Sequence, residues 1–351
     1  MGQSGMSAVV SIVVNNFNYA EFLAEAIDSA LAQRGAETEV VVVDDGSTDG
    51  SRALVQRYEQ RVRTVLKENG GQASAFNAGF RASRGEIVIF LDADDVLLPE
   101  TAARVSHLFA QRPETAKVHY RLEVVDEYGC PTGAFLPPLT TELPDGDLRD
   151  RVLGTPDDIP YPPTSGNAFS AAALRALMPM PEHAYTRLAD VYLLNLAPLL
   201  GPVARLDDLG GRYRAHTHNI HYGAGWDLDR IRATIRATAA THEHLATLAA
   251  SLGIAPGSDF RFASVTDLAQ RLVSRRLEPA AHPIASDRPA ALAASGAAAA
   301  LRRPDMPFTR RIMYAGWFTA TAVAPRRMAR ELAQRLFEAW RAESHRQPSP
   351  L

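Results

Sequence analysis

Three carboxylates lie within four positions of the stretch FLDADDVLLP, at Asp92, Asp94 and Asp95. They follow directly after an apolar run at 87–91. Because side chains alternate along a strand, Asp92 and Asp94 are expected on one side of the chain. Mg²⁺ and Mn²⁺ take oxygen ligands, often one or two carboxylates with phosphate oxygens completing the shell. The pattern predicts a divalent cation site at Asp94 with Asp92, while Asp95 is expected to cap the next helix.

A second acidic pair, Asp44 and Asp45, ends the apolar run of EVVVVDDGSTDGS. An acidic residue at the end of a parallel strand can accept hydrogen bonds from a ribose or a base. The alternative is a solvated turn in which Asp49 caps the next helix. No G-x-G-x-x-G follows the first two strand-like segments and no G-x-x-x-x-G-K-[ST] occurs, so neither a Rossmann dehydrogenase nor a P-loop enzyme is supported.

Strand-like and helix-like patterns alternate over the first 125 residues, and these elements must position the acidic pairs. Strands are predicted at 8–14, 39–45, 62–68 and 85–95, with helices at 20–31, from 47 to about 60, and after the glycines of NGGQASAFNAGF. This alternation predicts an α/β fold with a mostly parallel sheet, whose strand ends form one polar edge. Further on, the patterns predict long loops at 130–165, two helices within 167–200, a strand pair at 201–216 and helices after 226.

Composition bounds the class of protein. The 351 residues are 46% hydrophobic and 22% charged, with a net charge of −3. No strongly basic domain is present, so nucleic acid is not predicted as the main partner. The single cysteine, Cys130, excludes an intrachain disulfide and is typical of the reducing cytoplasm. No signal peptide and no apolar run of about 18 residues is visible, so no spanning helix is expected.

Three segments together resemble the family-two glycosyltransferases, which have the GT-A fold. They are VSIVVNNFNYAEFLAEAIDSALAQ, EVVVVDDGSTDGS and ENGGQASAFNAGFRASRGEIVIFLDADD. Their order and spacing match over residues 9–110, and more loosely to 222. The resemblance implies an enzyme that moves a sugar from a nucleoside diphosphate sugar, of the UDP or dTDP type, to an acceptor hydroxyl. It also implies inversion, Mn²⁺ or Mg²⁺ as cofactor, and a glycan, lipid-linked or small-molecule acceptor in bacterial glycan, polysaccharide or glycoconjugate biosynthesis.

The resemblance also implies roles for individual residues. Nucleotide-sugar contacts are implied for Asn15, Asn16, Phe17, Asp45, Gly71, Gln72, Asp92 and Arg214. The metal would be bound by Asp94, the last residue of D-x-D, with Asp92 and His216. Gly166 and Asn167 would contact the donor sugar or acceptor. Many relatives have a Pro-Thr/Ala-Tyr turn where this chain has Asn15-Asn16-Phe17, so Phe17 can stack on a base but cannot donate a hydroxyl hydrogen bond.

Inverting transfer needs a base that deprotonates the acceptor hydroxyl. The family commonly supplies it from a Glu-Asp pair at a helix start, where this chain has Ala189-Asp190. Asp190 is therefore the candidate base; the alternative is an acidic first-turn residue favoured by the helix dipole. The segment GRYRAHTHNIHYG resembles the family's Tyr-Arg-x-His segment over the donor phosphates, and it brings His218 and His221 as well as Arg214 and His216.

The predicted organisation is a tag or disordered stretch at 1–7, a GT-A domain at 8–225 and a helical region at 226–351. Within the domain, 8–125 would be the nucleotide-binding half and 126–225 the acceptor half. Two alternatives are open for the C-terminal segment RRIMYAGWFTATAVAPRRMARELAQRLFEAW. It could lie on the inner membrane surface through its aromatic and basic residues, or it could pack on the domain or on a second subunit of a homodimer.

Two other functions stay open. The missing glutamate before Asp190 allows a non-catalytic module that binds nucleotide sugars. A sugar-1-phosphate nucleotidyltransferase would share the α/β sheet, but it would carry a glycine-rich basic loop after the first strand, where this chain has NNFNYAEF.

Overall fold

A computed structural model describes residues 8–217, 219, 227–254, 264–303 and 306–344 of the chain. Residues 1–7, His218 and His221 lie outside these residues, and the expectations for them stay predictions. The chain divides into two compact units, one from 1–149 and 160–222, the other from 150–159 and 223–346. The sequence patterns did not indicate that 150–159 belongs to the second unit, and the predicted domain boundaries remain a prediction.

The first unit is built, within the described residues, on one nine-stranded sheet. Its strands are β1 (Val10–Asn16), β2 (Thr38–Asp45), β3 (Arg63–Lys67), β4 (Ile87–Asp92), β5 (Val96–Leu97), β6 (Lys117–Val125), β7 (Pro131–Leu136), β8 (Asn167–Ser170) and β9 (Val203–Arg214). The strand order is β3-β2-β1-β4-β8-β6-β9-β5, with β7 paired to β6. Helices of this unit are α1 (Ala20–Leu31), α2 (Ser51–Gln56), α3 (Gln72–Ala82), α4 (Thr101–Gln111), α6 (Ala171–Leu177) and α7 (Ala189–Leu200).

The first four strands are parallel, as the alternating pattern predicted. Their register places Asn16 opposite Asp44 and Asn15 opposite Asp92, so the ends of three strands meet at one edge of the sheet. Residues such as Ile12, Val42 and Ile89 are completely buried because helices cover both faces. The rest of the sheet is mixed, since β8 runs antiparallel to β4 and β6 while β9 is parallel to β6.

The strand pair predicted at 201–216 was wrong: β9 is one continuous strand of twelve residues. Gly210 and Gly211 lie within this strand and pack against Tyr120 and Leu122 of β6. A side chain at Gly210 would come within 2.1 Å of the Tyr120 ring, so these glycines allow close approach of two strands rather than a reversal.

The second unit is helical. Its helices are α5 (Arg149–Gly154), α8 (Leu228–Ser251), α9 (Val265–Leu277), α10 (Pro289–Arg302), α11 (Phe308–Val323) and α12 (Arg326–Ser344). The first residue of α5, Arg149, belongs to the first unit. The buried Phe318 of α11 packs on Gly296 of α10, where a methyl group would come within 2.2 Å of its ring. Among the described residues, no helix has both the length and the apolar character needed to cross a bilayer.

Candidate donor-binding and catalytic site

Four carboxylates interact beyond the carboxyl end of β4. Asp92, Asp94 and Asp95 come from β4 and the turn after it, and Asp190 from the first turn of α7. Burial, together with the charges of Asp94 and Asp190, raises the pKa of Asp92 well above its usual range. Burial and the charges of Asp94 and Asp92 do the same to the pKa of Asp95. This concentration of negative charge favours a bound cation.

Asp94 is held from the segment that follows β9. Its Oδ2 lies 2.9 Å from His216 Nε2 and accepts from Asn219 Nδ2 at 3.2 Å. The His216 ring stacks on Phe22, with the ring centroids 4.9 Å apart. The structure therefore brings the predicted pair Asp94 and His216 together. Sequence reasoning missed Asn219, whose only signal is an amide in a histidine-rich loop.

The guanidinium of Arg214 is engaged by protein groups. Its Nε donates to Asp94 O at 3.1 Å, Nη1 donates to Glu127 O at 3.0 Å, and Nη2 donates to the Glu25 carboxylate. Its side chain is only 3% exposed. These bonds use three of the five N–H groups of the guanidinium, and the described role of Arg214 is to hold the backbone of the acidic turn.

Asp95 does not cap a helix, and that prediction was wrong. The short strand β5 follows it, and α4 begins only at Thr101. Asp95 is buried, and its Oδ1 accepts from Arg214 N at 3.0 Å. Its partner lies 119 positions away, which a local helix-start pattern could not reveal.

The first turn of the sheet edge carries the predicted base pocket. Phe17 is 42% exposed, which leaves a ring face available for stacking. Asn16 is buried and its Nδ2 donates to Asp44 Oδ2 at 2.9 Å and to Ser47 Oγ at 3.0 Å. Asn15 is partly buried, and its Nδ2 points to Val13 O at 3.4 Å. Asn16 therefore fixes the loop, and Phe17 is the member of this turn that faces solvent.

Asp44 and Asp45 bind different partners. Burial opposes ionisation of Asp44, but hydrogen bonds from Ser47, Arg52 and Asn16 hold the pKa of Asp44 below its usual value. Asp45 accepts from Gly70 N at 3.0 Å and from Gly71 N at 2.8 Å, and Lys67 pairs with the same carboxylate. Asp45 thus connects β2 to the glycine turn before α3.

Gly166 and Asn167 are buried in the loop before β8. Asn167 is completely buried, and its amide donates to Pro163 O at 2.8 Å and to Pro162 O at 3.1 Å. Gly166 is buried too, and a methyl group there would come within 2.8 Å of Tyr120 O. Both residues therefore shape the loop, and their contact with a sugar stays a prediction.

The two preceding residues reach the site instead. Asp92 N donates to Ser165 Oγ at 3.1 Å, and the Thr164 side chain bonds to the Asp92 carboxylate. Sequence reasoning missed both hydroxyls, although they stand next to the predicted pair in PTSGN. The segment therefore contributes to the site through Asp92.

Asp190 occupies the second position of α7, where its Oδ1 accepts from Val191 N at 3.0 Å. An electrostatic interaction joins it to Lys117 of β6. Lys117 is completely buried, its Nζ lies 3.8 Å from the centre of the Tyr161 ring, and burial lowers the pKa of Lys117 well below its usual value. Asp190 therefore interacts with a negative neighbour, Asp92, and with a buried amine.

Gln72 and Gly71 contact the segment that leads to Asp190. Gln72 Oε1 accepts from Ala189 N at 2.9 Å. Gly71 has a φ of +87°, and a side chain there would come within 2.7 Å of the Thr186 backbone. The two residues predicted beside the nucleotide thus also touch the start of α7.

The carboxylates suit one kind of metal site. Among residues of the described part of the chain, no group of three or more His, Cys, Asp or Glu side chains is arranged around a metal position. A Mg²⁺ or Mn²⁺ ion that shares its shell with a diphosphate needs only one or two carboxylates. Asp94 and the neighbouring Asp92, whose pKa is raised by burial and by the charges of Asp94 and Asp190, fit that donor set.

Comparison with known proteins agrees with this architecture. The family model "Glycosyl transferase family 2" matches residues 11–171. An uncharacterized glycosyltransferase of Nostoc sp. is 34% identical over 221 residues, which cover 61% of this chain and 67% of the relative. The succinoglycan biosynthesis protein ExoO of Rhizobium meliloti is 45% identical over 98 residues, but these cover only 27% of this chain and 28% of ExoO.

Solved structures show the same fold. S. aureus TarS 1–349 in complex with UDP superposes with a TM-score of 0.51 and 17% identity, over 92% of this chain and 91% of that one. The same fragment in complex with UDP-GlcNAc gives a TM-score of 0.51 at 16% identity. The predicted family and fold are therefore confirmed: the chain is an enzyme of glycosyltransferase family 2 with a GT-A fold and a helical C-terminal region.

Proposed function

We propose that this enzyme transfers a sugar from a UDP or dTDP sugar to an acceptor hydroxyl in one inverting displacement, with Asp190 as base. The observation that carries the proposal is the electrostatic interaction of Asp190 with Asp92 at the end of β4. This interaction supports a base that α7 supplies at the predicted donor edge of the sheet. Complexes of TarS with UDP and UDP-GlcNAc support a uridine nucleotide on this fold.

The donor would bind across the ends of β1, β2 and β4. Phe17 offers a stacking surface for the base, and Asp45 with the amides of Gly70 and Gly71 would border the ribose. Asp94 and Asp92 would hold Mn²⁺ or Mg²⁺, which supplies charge neutralisation for the leaving diphosphate. His216 fixes the orientation of the Asp94 carboxylate through the bond described above.

The chemical step balances around Asp190. Its carboxylate takes the proton of the acceptor hydroxyl while that oxygen bonds to the anomeric carbon. The bond from the anomeric carbon to the diphosphate breaks, and the nucleoside diphosphate leaves with the electron pair. Asp190 then returns the proton to water. The helix N-terminus favours the ionised carboxylate.

The test begins with a donor panel of UDP-glucose, UDP-GlcNAc, dTDP-glucose and GDP-mannose, each with and without Mn²⁺ in a thermal-shift assay. Asp190→Asn should then lower turnover of the selected donor by at least about a hundredfold, while UDP binding stays within about twofold. Asp147→Asn, an exposed carboxylate of the first unit, is the matched control and should keep full turnover. Full activity of Asp190→Asn would remove Asp190 from the base role.

The same assay separates the other two functions. A non-catalytic module would bind UDP and Mn²⁺ without releasing UDP from any donor of the panel. A nucleotidyltransferase would release pyrophosphate when given UTP and a sugar 1-phosphate. We expect release of UDP or dTDP and no pyrophosphate, because the turn after β1 has no lysine or arginine for a triphosphate.

We also propose that α11 and α12 contact an anionic membrane surface. Residues 301–344 contain nine arginines and four acidic residues, in a chain whose net charge is −3. Along α11, apolar side chains stay exposed at Ile312 and Met313, and most strongly at Phe308 (70%) and Val323 (79%). An exposed apolar stripe with basic flanks is typical of helices that lie in the interface of an anionic bilayer.

Co-sedimentation with vesicles tests this surface. The protein should bind vesicles of phosphatidylglycerol and phosphatidylcholine, and binding should fall at least about tenfold without phosphatidylglycerol or with Ile312→Asp and Met313→Asp. Leu139→Asp, an exposed apolar residue of the first unit, is the control. If the double variant instead converts a dimer in solution to a monomer and vesicle binding is absent, α11 forms a subunit interface.

A further inference from the structure

Helix α7, which carries Asp190, begins without a cap of its own. The residue before it, Leu188, has a φ of +62° and makes no side-chain hydrogen bond to the helix. The first N–H groups of a helix have no partner within the helix, so their acceptors must come from elsewhere. Here the acceptor is Gln72 Oε1, which lies 2.9 Å from Ala189 N and comes from a helix 117 positions earlier.

Main-chain bonds reinforce this contact. Gln72 N donates to Thr186 O at 3.0 Å, and Ala73 N donates to Tyr185 O at 3.1 Å. Gly71 lies so close to Thr186 that a side chain there would overlap its backbone. The start of α3 and the segment 185–189 therefore form one connected unit, and the glycine turn of that unit is bound by Asp45.

We propose that Gln72 is a positioning residue: by capping α7 from α3, it fixes Asp190 relative to the donor edge of the sheet. The inference rests on the proposed base role of Asp190. It differs from the sequence-based expectation for Gln72, which was a contact with the nucleotide. The structure adds a direct bond from Gln72 to the residue before the candidate base.

The consequence for catalysis follows from geometry. Asp190 is the second residue of α7 and is held by the amide of Val191 in the same turn. If the first turn loosens, the Asp190 carboxylate shifts relative to the acceptor hydroxyl. A displacement of about 1 Å at a reacting group can lower the rate about a hundredfold without changing substrate binding.

Two substitutions of Gln72 distinguish the effect of its acceptor oxygen from the effect of its side-chain size. Gln72→Leu has a similar size but no acceptor, so Ala189 N loses its partner. Gln72→Glu replaces the amide oxygen with a carboxylate oxygen, which can still accept from Ala189 N. Its negative charge is also favourable at a helix N-terminus. The main-chain bonds of Gln72 and Ala73 are available to both variants.

The experiment compares the full-length wild type, Gln72→Leu, Gln72→Glu, Asp190→Asn and the double variant Gln72→Leu/Asp190→Asn. Turnover is measured with the donor that the panel selects, UDP binding is measured with Mn²⁺, and amide exchange is measured in a peptide spanning 185–192. Gln72→Leu should lower kcat about ten- to hundredfold, keep the UDP Kd within about twofold, and speed exchange in that peptide. Gln72→Glu should stay within about threefold of wild type in kcat.

The double variant tests whether Gln72 acts through Asp190. Its residual turnover should equal that of Asp190→Asn. If Gln72 acts only by positioning the Asp190 carboxylate, its replacement has no further effect once that carboxylate is absent. A loss of UDP affinity in Gln72→Leu with unchanged exchange at 185–192 would show that Gln72 contacts the nucleotide and would overturn the proposal. Full activity of Asp190→Asn would refute the base role instead, while the exchange data still decide whether Gln72 caps α7.

Discussion

His216 Nε2 lies 2.9 Å from Asp94 Oδ2, across 122 positions of sequence. The imidazole is fixed on its other side by Phe22, which stacks on it, and Asn219 shares the same carboxylate oxygen. A ring held in this way can fix the orientation of a ligating carboxylate even where it does not itself touch the metal. Asp94, after the end of β4, is thus held in a fixed orientation by His216, from the segment after β9.

Replacement of His216 by Phe keeps the stacking on Phe22 and removes the bond to Asp94. We expect the gain in UDP affinity that Mn²⁺ provides to fall about ten- to hundredfold, as is usual when a partner of a metal ligand is lost. UDP affinity without metal should change less than about twofold. Isothermal titration with UDP, at several Mn²⁺ concentrations, measures both. Tyr128→Phe, at an exposed site, is the control, and an unchanged Mn²⁺ response in His216→Phe would contradict the role.

Local sequence patterns predicted the β1–β4 part of the first unit well. The apolar spacing of 20–31 gave the bounds of α1 that the structure has, Ala20–Leu31, and the alternation of strands and helices gave the parallel β1–β4 part of the sheet. These features depend on periodicities within about a dozen residues. The predicted strand pair is a single strand in which Gly210 packs on Tyr120 of β6, and no local pattern contains that contact.

Residue types and motifs are enough to name candidate site residues, whose roles stay predictions, but they do not identify the bonding partners of those residues. Asp94 and Asp190 were singled out because their positions in the motifs resemble the family. The bonds of Arg214 to the acidic turn, and those of Asn167 to Pro162 and Pro163, are set by tertiary packing. A buried polar side chain must find a partner, and which partner it finds depends on how distant segments meet. This is why the bonds of Arg214 and Asn167 cannot be predicted from local patterns.

Lys117 is a buried amine whose Nζ has no hydrogen-bond partner among the described residues. Burial lowers the pKa of Lys117 well below its usual 10.5. As pH rises toward 10.5, the unfolded state still holds a proton that the folded state has lost, so this group makes the unfolding free energy increase with pH. Lys117→Met should therefore raise the unfolding free energy near neutral pH by about 1–3 kcal/mol and flatten its rise from about pH 7 to about pH 9.

Urea denaturation followed by far-ultraviolet circular dichroism measures this change. Lys67, the only other lysine of the chain, offers a comparison because it is paired with Asp45. Lys67→Met should lower the unfolding free energy by up to about 1 kcal/mol, the opposite sign. If Lys117→Met is destabilising at neutral pH, the ammonium has a favourable role that outweighs its burial.

A buried charge network holds the second unit together. Arg271 Nε donates to Asp287 Oδ2 at 2.9 Å, and His282 Nε2 lies 2.9 Å from the same oxygen. Burial opposes ionisation of Asp287, but the bonds from Arg271 and His282 lower the pKa of Asp287 below its usual value. Asp287→Asn removes the negative charge and one of the two carboxylate oxygens that Arg271 and the buried His282 share, and we expect a loss of about 2–4 kcal/mol in unfolding free energy.

The pH dependence of this unit has a defined sign. Burial lowers the pKa of His282 below its ordinary 6.5, so below that pH the unfolded state takes up a proton that the folded state does not. Stability of the unit should therefore fall from about pH 7 to about pH 5. In Asp287→Asn this fall should steepen, since the charge that favours protonated His282 is gone. Glu243→Gln, on the exposed side of α8, is the control. A slope that becomes shallower would contradict the assignment.

Two glycines in neighbouring helices give the sharpest test of the second unit's packing. A methyl group at Gly296 in α10 would come within 2.2 Å of Phe318, which is completely buried, so Gly296→Ala should lower the unfolding free energy by about 1–3 kcal/mol. At Gly316 in α11 a methyl group would meet no described atom within 4 Å. Gly316→Ala should therefore raise the unfolding free energy by about 0.5–1 kcal/mol through helix propensity alone.

Tryptophan fluorescence during urea denaturation reads this unit selectively, because Trp226, Trp317 and Trp340 are the three tryptophans of the chain and all follow residue 222. The two variants make the same chemical change in the same kind of element, so each is the control for the other. Opposite signs are required if α10 and α11 pack as described, since only the contact with Phe318 distinguishes the sites. If both substitutions stabilise the protein, α11 does not lie against Gly296.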